Sequence, residues 1–68
     1  MILRADGFDK AIVGYSEELH RLVYSVTKCI DILIYNGMSS DEAEEYFWYN
    51  VAGSYVGDLT PIWCNDIF

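Results

Sequence analysis

Apolar positions cluster in short runs early in the chain and then recur at helical spacing. Ala11 to Tyr15 (AIVGY) and Arg21 to Ser25 (RLVYS) are rich in β-branched and aromatic residues, which predicts two short strands joined through Ser16-Glu17-Glu18. From Val26 the period changes. Val26, Cys29, Ile30, Leu33 and Ile34 fall at i, i+3, i+4, i+7 and i+8, the core-facing stripe of a helix over residues 26–35. Ser25 or Thr27 supplies its N-cap, and Gly37 after Asn36 supplies its stop.

The next start signal is the strongest local feature. Ser39-Ser40-Asp41-Glu42 has the form of a capping box, in which Ser39 accepts from the amide of Glu42 and the Glu42 carboxylate reaches back to the Ser39 amide. The helix it opens is expected to run to about Ala52 and stop at Gly53. Ala43, Tyr46, Phe47, Asn50 and Val51 share its inner face, Trp48 and Tyr49 point to opposite flanks, and Glu44 and Glu45 point outward. Beyond it, Gly57-Asp58 marks a turn, Pro61 holds Thr60 extended, and Ile62 to Cys64 can add an edge strand. Asn65 to Phe68 are expected to fray or to lie against the body.

These elements predict an α+β fold, an antiparallel helical hairpin with two or three short strands, in one small domain spanning residues 1–68. Ile30, Leu33, Ile34, Ala43, Phe47 and Val51 are the expected contact between the helices.

Length makes that core demanding. A chain of 68 residues buries only roughly 60% of the surface its unfolded form exposes. Six Tyr, three Phe and two Trp compensate, because large rings bury area efficiently. Homodimerisation is a further way for so small a domain to gain core. No apolar run approaches the ~20 residues of a membrane span. The N-terminus lacks the basic, apolar and small-residue order of a secretory signal, so an intracellular protein is expected. Cys29 and Cys64 are then read as reduced, mostly buried thiols.

Candidate chemistry is sparse. His20 is the only histidine, no CxxC spacing occurs, and no phosphate-cradling glycine pattern is present, so neither a metal nor a cofactor is expected. His20 beside Glu17 and Glu18 is read as a surface histidine near acids. Asp6 and Glu17 have the outer spacing of a calcium loop, but Phe8 and Lys10 stand where oxygen ligands belong. Without a catalytic constellation, binding is expected rather than catalysis.

Charge changes the picture more. Residues 1–30 are balanced, with Arg4, Lys10, Arg21 and Lys28 against Asp6, Asp9, Glu17 and Glu18. The whole formal charge of −7 belongs to residues 31–68, which hold no Lys or Arg. A one-signed field disfavours direct contact with nucleic acid or an anionic membrane and favours a partner protein with a cationic surface. It also keeps an aromatic-rich protein dispersed, and both readings stand. Within it, Asp41, Glu44, Glu45, Trp48 and Tyr49 form the candidate partner-binding face, because carboxylates beside exposed rings suit ion pairing and cation–π stacking. Tyr55 to Trp63 is the alternative surface.

The string from Gly37 to Trp63, with Gly37-Met38-Ser39, Glu45-Tyr46-Phe47, Tyr49-Asn50-Val51, Tyr55-Val56-Gly57 and Thr60-Pro61, resembles a group of small acidic proteins encoded mainly in bacteriophage genomes. Lys28-Cys29-Ile30 and Asp6-Gly7-Phe8-Asp9 extend the resemblance upstream. Trp48 departs from it, standing where an acid is more usual, and so does the tail from Cys64. The resemblance implies a phage origin, action in the cytoplasm of an infected bacterium, and no particular mechanism. Two roles follow as expectations: modulation of a host or phage protein, such as a nucleic-acid enzyme or a defence component, or a small structural part of a virion or assembly.

Overall fold

The computed structural model describes residues 3–54 and 60–66. The fold is α+β, with two α-helices beside a three-stranded mixed sheet. After a 3-10 turn at Asp9–Ala11 come β1 (Ile12–Ser16), β2 (Arg21–Ser25), α1 (Val26–Tyr35), α2 (Ser40–Tyr46) and, last, β3 (Ile62–Cys64). The sheet order is β1-β2-β3. The expected turn at Gly57-Asp58 lies outside the described residues.

β1 and β2 form an antiparallel hairpin. Their register is Ile12 with Tyr24, then Gly14 with Val23 and Ser16 with Arg21, so Val13 is the extra residue of a bulge. β3 is the edge strand anticipated at residues 62–64, but it runs parallel to β2, pairing Val23 with Ile62 and Ser25 with Cys64.

α1 begins and ends where its local chemistry dictates. Ser25 Oγ accepts from the Lys28 amide at 3.1 Å. At the other end Met38 N–H donates to the Leu33 carbonyl and Gly37 N–H to the Ile34 carbonyl, a Schellman closure. It requires a left-handed residue at 37, and Gly37 has φ 112°. The capping box of α2 is complete, with Glu42 N–H donating to Ser39 Oγ at 3.2 Å and Ser39 N–H to Glu42 Oε1 at 3.3 Å.

The second helix does not remain α-helical to Ala52. At Phe47–Val51 the backbone widens into a π turn, with Ala52 N–H donating to the Phe47 carbonyl, and a 3-10 turn follows at Ala52–Ser54. Widening puts Val51 beneath Phe47, with Ala43 above, and all three are buried. Tyr46 and Asn50, expected on the inner face, are exposed instead.

The core joins Ala43, Phe47 and Val51 to Val26, Cys29, Ile30 and Leu33 of α1, to Tyr24 of β2, and to Ala5, Phe8 and Ala11 of the N-terminal segment. Ile34 is corrected out of it, at 38% exposure. The Asp9–Ala11 turn packs against α1 and covers the flank holding Ile32, which is partly buried, while Ile34 lies on the opposite flank. A run of rings ties sheet to helices. Trp63 packs on Tyr24 and edge-on against Phe47, with centroids 5.3 Å apart in each pair, and Phe47 meets Trp48 edge-on at 5.0 Å. The buried Tyr24 hydroxyl accepts from the Ala5 amide at 2.9 Å, which fixes the N-terminal segment to the sheet.

Candidate protein-binding face

The residues singled out on the second helix converge on one place. Asp41, Glu44, Glu45, Trp48 and Tyr49 together line a shallow hollow of about 400 Å³. α2 supplies the three acids and the π turn supplies the two rings. Glu44 with Trp48, and Glu45 with Tyr49, are four residues apart and stack along the helix axis.

The two rings are held differently. Trp48 is anchored by its edge-on contact with the buried Phe47 yet stays 39% exposed. Tyr49 is 77% exposed. Near the end of this segment Gly53 passes close to the Trp48 carbonyl, and a side-chain Cβ there would lie 3.3 Å from that oxygen. The π turn that carries Trp48 therefore has little room for a larger residue at 53.

The acids are also unlike one another. The Glu42 carboxylate is committed to the capping box. Among the described residues, Asp41, Glu44 and Glu45 have no hydrogen-bond or ion-pair partner. An ion pair between Arg4 and Asp9, at 3.8 Å, lies on the N-terminal segment. Exposed carboxylates beside exposed rings present negative charge and π faces together, a combination suited to guanidinium or ammonium groups.

His20 takes a left-handed conformation in the β1–β2 turn, with φ 55°, and its Nδ1 lies 3.2 Å from the Tyr15 hydroxyl. No group of three or more His, Cys, Asp or Glu among the described residues is arranged to hold a metal ion. Among the same residues, no helix is long and apolar enough to cross a membrane. The thiols differ from expectation: Cys29 is buried, but Cys64 on the edge strand is exposed. Of the alternative surface, residues 55–59 lie outside the described residues. Its remainder is spoken for by the fold, since Pro61 is buried and Trp63 packs between Tyr24 and Phe47.

Sequence reasoning missed Asp66. Its carboxylate accepts from Ser25 Oγ at 2.6 Å and from the Thr27 amide at 2.9 Å, closing the N-terminus of α1. Those hydrogen bonds, the one from Ser25 foremost, hold the acid down at about 2. Its only sequence signal is an Asp shortly after an edge strand, which does not point to residues 25 and 27. Compared with protein-family models, curated proteins and solved structures, the chain matches none.

Proposed function

We propose that this protein is a phage-encoded interaction protein, which binds a cationic surface on a host or phage protein and modulates it in the cytoplasm of the infected bacterium. A nucleic-acid enzyme or a defence component that handles nucleic acid offers such a surface. The observation that carries the reading is the hollow where unpaired Asp41, Glu44 and Glu45 adjoin half-exposed Trp48 and exposed Tyr49. The same electrostatics argue against direct contact with nucleic acid or an anionic membrane.

The test reverses charge on the face. Glu44→Lys with Glu45→Lys leaves the melting curve nearly unchanged, since exposed charges contribute little to stability. Tagged wild-type protein retains a basic partner from host lysate and releases it as salt rises, while the reversed protein retains none. Equal capture, with unchanged salt dependence, leaves the acids only a solubility role.

A second reading, a virion or assembly component, has its own support. Val13, Tyr15 and Leu19 expose apolar surface on β1 and the turn after it, which suits contact between copies. Mass spectrometry of purified particles decides it, and absence of the chain from them ends it.

A further inference from the structure

The hollow at Trp48 is one of a connected series. It shares Glu45 and Tyr49 with a second hollow, of about 370 Å³, whose walls include Met38 and Glu42. That hollow shares Tyr46 and Asn50 with a third. The third shares Gly7, Ile32 and Asn36 with an open groove of about 750 Å³ between the Asp9–Ala11 turn and the C-terminal half of α1. Hollows with common walls make one track, leading from the π turn past the flank of α2 to the end of α1.

The same side-chain pairing recurs along it. On α2 and the π turn, Glu44 precedes Trp48 and Glu45 precedes Tyr49, each by four residues. On α1, in the far groove, Asp31 precedes Tyr35 by four. Four residues is the axial neighbour distance on a helix, so each acid sits one turn from an exposed ring. Tyr35 is 92% exposed. Its groove also lies at the negative pole of α1, whose last turn holds no basic residue. One cation, Lys10, lines that groove and opposes a positive ligand there.

Building on the binding role proposed above, we propose that the partner element is an extended arginine-rich segment, which lies along this track with successive guanidinium groups each set between a carboxylate and a ring. Arginine suits the pairs better than lysine, because its planar guanidinium stacks on a ring while hydrogen-bonding a carboxylate. A single basic side chain would fill only the hollow at Trp48. The extended groove with its repeated pairs fits a segment instead.

Titration calorimetry at fixed low salt tests this with a tri-arginine peptide and a longer arginine–serine repeat peptide. The longer peptide binds wild-type protein about tenfold tighter or more, as linked contacts add. Asp31→Asn with Tyr35→Ala, both exposed positions, removes that gain and leaves tri-arginine binding unchanged. Lys10→Gln tightens the long peptide alone, an effect that damage to the fold does not produce. Glu17→Gln, which removes one charge from the β1–β2 turn, changes neither. The track is overturned if the long peptide binds no tighter than the short one, if the gain survives Asp31→Asn with Tyr35→Ala, or if Glu17→Gln erases it equally. If Glu44→Lys with Glu45→Lys leaves tri-arginine binding intact, the binding face itself is wrong, which is a separate result.

Discussion

Ser25 and Asp66 close the N-terminus of α1 together. Ser25 Oγ donates to the Asp66 carboxylate at 2.6 Å while accepting from the Lys28 amide, and the other Asp66 oxygen accepts from the Thr27 amide. Two of the amides a helix start leaves unpaired are thus satisfied, one by a residue thirty-nine positions away. The anion also complements the positive pole of α1, whose first turn has no acid of its own.

This arrangement sets a pH dependence. Asp66 is held at about 2 against an ordinary 3.8, so its folded-state value is depressed. A depressed carboxylate stabilises the fold fully above its unfolded value, and that contribution is lost as pH falls from about 5 towards 2. Asp66→Asn therefore lowers the melting midpoint at neutral pH, and the gap from wild type closes as the pH approaches 2. Ser25→Ala costs about 1 kcal/mol as a lost cap. Combined with Asp66→Asn, its effect is less than additive, because the two residues share one hydrogen bond. A gap that persists at pH 2 would show that Asp66 acts by something other than its charge.

Much of this fold follows from local pattern. The β1–β2 pairing, the limits of α1 and the capping box of α2 are set by residues within a few positions of each other, and all stand close to where the sequence puts them. The missed features depend on contacts distant in sequence. Ala5, Phe8 and Ala11 enter the core although residues 1–10 carry no clear period, because the Tyr24 hydroxyl and the flank of α1 receive them. The parallel direction of β3 depends on how the chain returns to β2. Ile34 obeys the helical stripe but lies on the flank away from the Asp9–Ala11 turn. The π turn has no signal in composition. Even so, the acid–ring pairs on the second helix were legible, since spacing along a helix survives a change of pitch over one turn. The matching pair Asp31 and Tyr35 was not, because only the fold joins it to the same track.

Phe47 holds the run of rings together, touching Trp63 on one side and Trp48 on the other with no exposed surface. Phe47→Ala costs roughly 3–5 kcal/mol, enough to unfold a domain with so small a core. Near-ultraviolet circular dichroism should lose its aromatic fine structure, and the tryptophan emission should shift to the red. Phe47→Leu keeps most of the volume and should stay folded with a lowered midpoint. A folded Phe47→Ala protein with native aromatic signals contradicts this account of the core.

Ser39 makes one half of the capping box of α2, at an exposed position where little else changes on substitution. Ser39→Ala costs about 1 kcal/mol, which lowers the melting midpoint of a domain this size by roughly 4–8 °C. Ser39→Asp retains an acceptor and should restore most of the loss. If Ser39→Ala melts with wild type, the start of α2 is held by tertiary packing.

The two thiols offer the sharpest contrast between burial and exposure. Cys29 is fully buried on α1, and burial, with a smaller contribution from the Asp66 charge, pushes its thiol up to about 12. Cys64 is exposed on the edge strand. The thiolate is the reactive form, so a maleimide added to native protein near neutral pH should modify Cys64 and spare Cys29. In denaturant both should react, and peptide mapping distinguishes them. The same burial has an alkaline consequence. A raised folded-state value means that the unfolded chain gives up its proton first. Stability is then complete below about 9, the ordinary thiol value, and falls as pH rises towards 12. Tyr24, raised by burial above its ordinary 10, acts in the same direction. Cys29→Ala should make this alkaline decline shallower while lowering stability at every pH through the cavity it opens. Equal labelling of both thiols in the native protein would place Cys29 at the surface and remove the reason for its shift.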